Sequence, residues 1–303
     1  MATYTDKTCK IKKALPERLL FLDGAMGTML AGNNLPSDMP ADLWVIEKPE
    51  AVREVHRLYL EAGADIIKTD SFNSNPLSLA AFGCANLSYL ISKEAARIAS
   101  EEARRFSGSD KTRFVAGSVG PPLLPSPIDI KSLINNYLPQ IRGLAEGGAD
   151  IILVETVTDT VLAKAALLAL AHVEKETGIK LPAIVSATID TNSSRLPSGE
   201  TLKEFHEATI PFAPIAIGLN CCNGSKDISN AARYLADMAE EPVILCPSAG
   251  LPDADGTYPE SPDLFAANLK GIIREGKVRM AGGCCGTTPE HIRVLINLHG
   301  GQE

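Results

Sequence analysis

The sequence predicts an α/β fold in which eight parallel strands close into a single (β/α)8 barrel, or TIM barrel. One segment pattern occurs twice, as EAGADIIKTD (residues 61–70) and EGGADIILVE (residues 146–155), and more loosely as REGKVRMAGG (residues 274–283). In each copy a helix end is followed by a glycine, which can adopt the left-handed conformation that ends helices, and then by an apolar strand. Repeated helix–strand units of this kind predict a parallel sheet.

Eight strands can be identified from their unbroken apolar and often β-branched residues, which are typical of strands buried on both faces. They cover residues 19–23, 65–69, 113–118, 150–155, 183–189, 215–220, 243–247 and 278–283. An open doubly wound sheet is the alternative, but eight regular units favour the closed barrel. No linker divides the 303 residues, so we expect one barrel domain over residues 17–303, preceded by an N-terminal extension over residues 1–16.

The segments between the strands have helical periodicity. In residues 50–62 the apolar side chains form one stripe, made of Val52, Val55, Tyr59 and Ala62. Further helices are predicted over residues 158–178, over residues 261–276 with a Ser-Pro start, and over residues 287–300 with a Thr-x-x-Glu capping pattern. The longest loops follow the first and fifth strands, at residues 32–44 and 190–200.

Composition and charge exclude several classes of protein. The net charge is −8 and the longest basic cluster is KIKK at residues 10–13, so nucleic acid is not expected as a partner. No segment has the apolar length of a signal peptide or a membrane span, so no membrane association is expected. Seven cysteines are too few for a disulfide scaffold in a chain of this length. We therefore expect a cytoplasmic protein with reduced thiols.

Cysteines fall where a (β/α)8 barrel places its chemistry, at the C-terminal ends of the strands, here called the barrel mouth. Cys221 and Cys222 follow the sixth strand, and Cys284 and Cys285 follow the eighth. Three thiolates from these positions would suit Zn²⁺ and leave its fourth position open. Which of Cys221 and Cys222 faces the mouth stays open here, because neighbouring strand residues point in opposite directions. The alternative, small buried apolar residues, is preferred for Cys9, Cys84 and Cys246.

Other polar residues end strands at the same mouth. Asp23 and Glu155 follow the first and fourth strands, and together could hold a substrate ammonium group. Alternatively, each could cap a helix or pair with a surface cation. The segment DGAMG has the glycine spacing of a nucleotide loop but lacks its Lys-Ser/Thr, so a phosphate site is only weakly supported. The five histidines lie mostly in helical patterns and are interpreted as surface or packing residues.

Five segments carry a family resemblance: FLDGAMGTML, GADIIKTDSFNS, GGADIILVET, GLNC and GGCCGTTPEHI. Together, and in this order from about residue 17 to 300, they resemble the homocysteine S-methyltransferase family. They are most similar to the homocysteine-binding module of the cobalamin-dependent methionine synthase branch. The resemblance implies that Cys221, Cys284 and Cys285 ligate one Zn²⁺ per chain.

The resemblance also implies a reaction and a set of substrate contacts. L-homocysteine would complete the zinc coordination through its sulfur, which would then attack an electrophilic methyl group to give methionine. No catalytic general base is expected, because the thiol proton leaves on metal binding. Asp23 and Glu155 would lie near the substrate ammonium, and amides around Gly24 and Ala25 near its carboxylate. Further substrate contacts are expected from Asn73 and Ser248.

The methyl donor implied by the resemblance is methylcobalamin, held by a separate domain or chain. Cobalamin- and folate-binding domains are the implied partners, and neither is present in this sequence. The chain also departs from the branch at Asp70 and at Ser248, where methionine synthases often have asparagine. Two alternatives stay open: a stand-alone enzyme that uses a small donor such as S-methylmethionine, and a non-catalytic module that binds zinc or substrate in a larger assembly.

Overall fold

The computed structural model describes residues 3–4, 6–32, 39–109, 111–123 and 128–299. Its main sheet has eight parallel strands in the order β2-β10-β9-β8-β7-β5-β4-β3. A parallel bridge between Leu22 and Ile66 joins β2 to β3 and closes the sheet. The (β/α)8 barrel predicted from the sequence is therefore confirmed. The strands are β1 Thr3–Tyr4, β2 Leu20–Phe21, β3 Ile66–Lys68, β4 Phe114–Val119, β5 Ile151–Val157, β6 Ile179–Lys180, β7 Ala183–Ala187, β8 Ala216–Cys221, β9 Val243–Pro247 and β10 Val278–Ala281.

Helices alternate with these strands and cover the outside of the barrel. They are α1 Asp6–Glu17, α2 Gly27–Ala31, α3 Trp44–Glu47, α4 Pro49–Glu61, α5 Pro76–Ala80, α6 Ser88–Arg105, α7 Ile130–Gly147, α8 Thr160–Thr177, α9 Leu202–Thr209, α10 Ile228–Met238, α11 Pro262–Arg274 and α12 Pro289–His299. Short 3₁₀ turns cover Ala41–Leu43, Ala85–Leu87 and Ile210–Phe212. The apolar stripe predicted in residues 50–62 is buried, as expected for the inner face of α4. No helix in the described ranges is long and apolar enough to cross a membrane.

Glycines end the helices where the sequence pattern predicts it. Gly63, Gly148 and Gly276 have φ angles of 106°, 101° and 78°, in the left-handed region that glycine tolerates without a side-chain clash. Each of these glycines precedes a barrel strand, so the turn sets the direction in which the next strand enters the sheet. The first long loop is more structured than expected: residues 41–47 carry a 3₁₀ turn and α3, whereas residues 33–38 lie outside the described residues.

The barrel interior is a packed apolar core rather than a channel. Its side chains come from the barrel strands and include Leu22, Ile66 and Met280, all fully buried. Cys246 belongs to this same interior cluster, in agreement with its expected packing role. Helix α1 adds Ile11 and Leu15 to the cluster, so residues assigned to an N-terminal extension pack into the core. The domain boundary at residue 17 stays a prediction.

Candidate metal and substrate site

Three cysteine sulfurs converge at the barrel mouth. The Sγ atoms of Cys221, Cys284 and Cys285 all lie within 4.8 Å of one another. Cys221 Sγ lies 2.6 Å from Cys284 Sγ, which lies 3.9 Å from Cys285 Sγ. Zn–S bonds of about 2.3 Å in a tetrahedron place sulfurs about 3.8 Å apart, so the Cys284–Cys285 separation fits Zn²⁺, whereas Cys221 and Cys284 would have to separate by about 1 Å.

The backbone at the end of β8 separates the two neighbouring cysteines. Cys221 and Cys222 both adopt left-handed conformations, with φ angles of 59° and 60°, which side chains rarely occupy. This turn directs Cys221 into the mouth. Cys222 faces away, with its Sγ 3.8 Å from Thr188 Oγ1 and its side chain packed against the outer core. The choice that strand alternation left open is thus resolved in favour of Cys221.

Glycines and neighbouring carbonyls position the second pair of cysteines. Cys284 donates its N–H to the carbonyl oxygen of Pro247 at 2.8 Å, and the carbonyl oxygen of Cys285 accepts from Ala249 N at 2.9 Å. Gly286 follows with a φ angle of 75° and lets the chain turn under the ring of Tyr258. Because the chain leaves the strand direction here, both sulfurs reach the same side.

Contacts within the triad shift the pKa values of Cys221 and Cys285 in opposite directions. Hydrogen bonds from Cys221 and Cys284 lower the pKa of the Cys285 thiol to about 3. For Cys221, the hydrogen bonds with the Cys284 and Cys285 thiols, together with burial, raise the pKa well above its usual value. Three thiols this close cannot all ionise at neutral pH unless a cation balances the charge. The donor set is therefore one that a divalent cation would complete.

A cavity of about 500 Å³ opens beside the triad. Four residues of the predicted substrate site line it, namely Gly24, Ala25, Asn73 and Glu155. The side chains of Asp23 and Ser248 do not line it and are both buried. Ser248 is placed beside the triad through its backbone, since its N–H donates to the carbonyl oxygen of Cys221 at 3.0 Å.

A lysine that the sequence analysis missed occupies the centre of the acidic pair. Lys68, at the end of β3, lines the cavity and is only 8% exposed. Its Nζ lies 3.9 Å from both Asp23 Oδ1 and Glu155 Oε2, and donates to the carbonyl oxygen of Gly283 at 3.0 Å. A lysine at a strand end resembles a surface residue in sequence. The available signal was its position directly after the buried Ile66-Ile67 pair.

Burial controls the charges around Lys68. It raises the pKa of Asp23 to about 7 against the opposing effect of the Lys68 ammonium. It also raises the pKa of Glu155, whose Oε1 accepts a hydrogen bond from Ser118 Oγ at 2.5 Å. Although burial acts to lower it, the carboxylates of Glu155 and Asp23 hold the pKa of Lys68 well above its usual value. Lys68 is therefore a charged ammonium within an acidic cluster.

Asn220 connects the triad to the neighbouring strand. Its amide nitrogen donates to Thr156 Oγ1 at 2.8 Å and approaches Cys221 Sγ at 3.5 Å. Its amide oxygen accepts from Thr156 N and from Ser186 Oγ, both at 2.8 Å. Thr156 is held at a φ angle of 58°, another left-handed residue at the mouth. Such strained backbone persists where surrounding contacts fix it, and it is common at functional sites.

Thr287 contacts two segments of the site. It was expected to be the first residue of a capping box, and that prediction was wrong. Its hydroxyl accepts from Ala25 N at 3.2 Å and donates to the carbonyl oxygen of Cys284 at 2.7 Å. Glu290, the expected capping partner, pairs with Arg293 instead. The capping prediction failed because Thr287 lies on the loop that holds the triad, two residues before α12 begins.

A buried acid pair, Asp42 and Asp70, also lines the cavity. Asp42 Oδ1 accepts hydrogen bonds from Asn73 N at 2.8 Å and from Ser74 Oγ at 2.9 Å. Asp70 is buried, and its Oδ2 has no hydrogen-bond partner in the described part of the chain. Burial and then the charge of Asp42 raise the pKa of Asp70 well above its usual value. Asp70 therefore favours its neutral form.

The fold and the site together define an α/β-barrel protein with a three-cysteine group at its mouth that fits zinc binding. The sequence profile described as homocysteine S-methyltransferase matches residues 20–298. The chain therefore belongs to the homocysteine S-methyltransferase family and is a methyltransferase. The resemblance to this family, identified from its sequence motifs, is confirmed.

Solved structures of the homocysteine methyltransferase MmuM from Escherichia coli are similar to this chain. The apo form is 25% identical with a TM-score of 0.73, and the match covers 94% of this chain and 98% of that one. The metallated form is 24% identical with a TM-score of 0.77, covering 91% of this chain and 95% of that one. At these sequence identities, the match to the metallated form shows that the two proteins share a fold.

Proposed function

We propose that the protein transfers a methyl group to the thiol of L-homocysteine and forms methionine in a zinc-dependent reaction. The observation that carries the proposal is the convergence of three cysteine sulfurs within 4.8 Å beside a cavity of about 500 Å³. Membership of the homocysteine S-methyltransferase family supports the choice of acceptor.

Each part of the site has a proposed role. Cys221, Cys284 and Cys285 would hold one Zn²⁺, which supplies Lewis acidity that favours the thiolate form of a sulfur ligand near neutral pH. Glu155 would receive the substrate ammonium, with Asp23 contributing from behind Lys68, where its Oδ1 makes no hydrogen bond to the described residues. Amide groups around Gly24 and Ala25, with Asn73 and Ser248 nearby, would complete the surroundings of the substrate.

The reaction requires a single displacement. A lone pair on the acceptor sulfur forms the new S–CH₃ bond, and the bond between the methyl group and its donor breaks with its electron pair leaving on the donor. The acceptor proton is lost when the thiol binds, so the site needs no general base. The cavity would align the sulfur and the methyl group, which contributes to catalysis through proximity.

Two methyl donors remain in competition. Methylcobalamin, carried by a separate domain or chain, is supported by the motif resemblance to the cobalamin-dependent methionine synthase branch. A small donor such as S-methylmethionine is the alternative for a stand-alone enzyme, and the match over 98% of the homocysteine methyltransferase MmuM is consistent with a barrel of that length. We favour methylcobalamin, with cobalamin- and folate-binding domains as partners and a cytoplasmic location.

Metal analysis of the purified, reduced protein tests the zinc site first. We expect about one zinc per chain in the wild type and in Cys222→Ala, whose sulfur faces away from the triad. We expect none in Cys285→Ala. Equal zinc content in the two variants would contradict the assignment of the ligands.

A transfer assay then tests the reaction and its donor. Zinc-loaded protein is incubated with L-homocysteine and either methylcobalamin or S-methylmethionine, and methionine is quantified. Turnover with methylcobalamin alone supports the favoured donor, and turnover with S-methylmethionine alone supports the stand-alone alternative. Absence of methionine with both donors in the zinc-loaded protein would contradict the proposed reaction and favour a non-catalytic binding module.

A further inference from the structure

We propose that Lys68 determines acceptor specificity by binding the carboxylate of the thiol substrate. The inference deepens the proposed function and rests on it. It assigns the acceptor to thiols that carry an anionic group a few bonds from the sulfur, and it gives that group a charged side chain of its own, as Glu155 is for the amine.

The ammonium of Lys68 has unused hydrogen-bonding capacity. A lysine ammonium carries three N–H donors. Within the described part of the chain, Lys68 Nζ makes one hydrogen bond, to the carbonyl oxygen of Gly283 at 3.0 Å. Asp23 Oδ1 and Glu155 Oε2 both lie 3.9 Å away, beyond hydrogen-bond distance. Two donors are therefore left for an oxygen ligand, in a position where bulk water has little access.

The position of Lys68 favours a substrate over a purely internal role. Lys68 lines the cavity, whereas the carboxylate of Asp23 lies behind it and is held by the backbone N–H of Lys68 at 2.8 Å. The lysine thus presents a positive charge where a pair of carboxylates alone would present a negative one. Its hydrogen bond to Gly283, the residue before Cys284, places this charge beside the triad.

One of the alternative anion-binding groups is already engaged. The amides around Gly24 and Ala25 are expected from the family resemblance to bind the substrate carboxylate, and the N–H of Ala25 donates to Thr287 Oγ1 at 3.2 Å. A carboxylate would have to displace that hydroxyl to reach Ala25. At Lys68 it would instead gain a charge-assisted hydrogen bond without breaking one, and such bonds are about twice as strong as neutral ones.

The acidic neighbours explain why a lysine can be retained there. An isolated buried ammonium would be strongly disfavoured, but the acidic groups of Asp23 and Glu155, each 3.9 Å from Lys68 Nζ, keep it charged. The row Asp23–Lys68–Glu155 places a positive charge between two acidic groups. It is complementary to an amino acid that places its carboxylate on Lys68 and its ammonium on Glu155.

Binding of three matched thiols by isothermal titration calorimetry tests the proposal on the zinc-loaded protein without a methyl donor. The thiols are L-homocysteine, 4-mercaptobutyrate, which lacks the amine, and 3-mercaptopropylamine, which lacks the carboxylate. For the wild type we expect loss of the carboxylate to weaken binding by about 10- to 100-fold. For Lys68→Met we expect that difference to shrink to about 3-fold or less, because no charged donor remains to lose.

The control is Lys203→Met, which removes a lysine that is 65% exposed on α9 and should keep the wild-type differences. If Lys68→Met does not fold or does not retain zinc, Lys68→Gln takes its place, because glutamine keeps a hydrogen-bond donor without the charge. The carboxylate dependence of Lys68→Gln should lie between that of the wild type and the value of about 3-fold expected for Lys68→Met. An undiminished carboxylate dependence in the Lys68 variant would overturn this inference alone. Failure of the wild type to bind any of the thiols would overturn it together with the proposed function.

Discussion

A buried histidine makes the stability of the protein depend on pH in a direction that can be calculated. His56 lies on α4 with no exposed surface, and neither ring nitrogen has a hydrogen-bond partner among the described residues. Burial, with a smaller effect from Arg53, lowers the pKa of His56 to about 3. The folded protein therefore keeps His56 neutral at pH values where the unfolded chain takes up a proton.

The size of the effect follows from the difference between the two pKa values. Below about pH 6.5 the unfolded chain gains a proton that the folded protein cannot accept, so stability is lost as the pH falls from about 6.5 towards 3. A pH of 5 lies about 1.5 units below the histidine pKa of the unfolded chain. Protonation of the unfolded chain at this pH lowers the free energy of unfolding by about 2 kcal/mol. His56→Leu removes the titrating group and should remove this part of the pH dependence.

Urea unfolding of zinc-free wild type and His56→Leu at pH 7 and pH 5 measures the difference. The double difference cancels the other titrating groups that the two proteins share. A matched control is His172→Leu, which removes a half-exposed histidine on α8 and should keep the wild-type pH dependence. If His56→Leu loses as much stability between pH 7 and pH 5 as the wild type, the reasoning from burial is refuted.

Three further substitutions probe other parts of the molecule. The wild type should lose stability as the pH rises above about 4, because the raised pKa of Asp70 means that the folded protein retains a proton that the unfolded chain releases. Asp70→Asn should remove this loss, which urea unfolding midpoints at pH 5 and pH 8 measure. An equal change of midpoint between the two pH values in both proteins would contradict it. Gly24→Ala should reduce transfer more than 10-fold while zinc is retained, because the added Cβ would overlap Thr287 Oγ1 and lie 2.8 Å from Tyr59 Oη, which displaces the mouth loops from their positions. An unchanged kcat/KM would show that the packing at Gly24 does not position the site. Ile11→Ala should cost about 3 kcal/mol of stability by opening a cavity where α1 enters the barrel interior; a loss below about 1 kcal/mol would show that α1 is not part of the cooperative fold.

The eight strands could be predicted from sequence because a parallel barrel buries both faces of each strand. Runs such as Ile66-Ile67 and Ile151-Ile152 are therefore apolar throughout and end sharply at polar residues. The cysteine triad could be expected for a related reason, since strand ends in a barrel meet at one mouth whatever their separation in sequence. The two-residue pairing of β1 with β6 gives no such pattern and was not predicted.

The parts that sequence reasoning missed depend on side-chain direction and on partners distant in the chain. Lys68 is recognisable as a site residue only once Asp23 and Glu155 are placed beside it, 45 and 87 residues away. Thr287 has the local pattern of a helix cap, and only its contact with Ala25, 262 residues earlier, reveals its role. Local patterns report the burial of a segment, but they do not report which charged groups meet at the mouth.

The order of strands around the barrel has a consequence for the growing chain. β10 lies between β9 and β2, so it is the last strand synthesised that closes the circle. Cys284 and Cys285 follow it directly, whereas Cys221 is made 63 residues before Cys284. Until β10 is inserted, the ribosome-bound chain presents Cys221 as a single thiol without its two partners. The complete set of three sulfurs that the proposed zinc site requires therefore exists only after the barrel has closed.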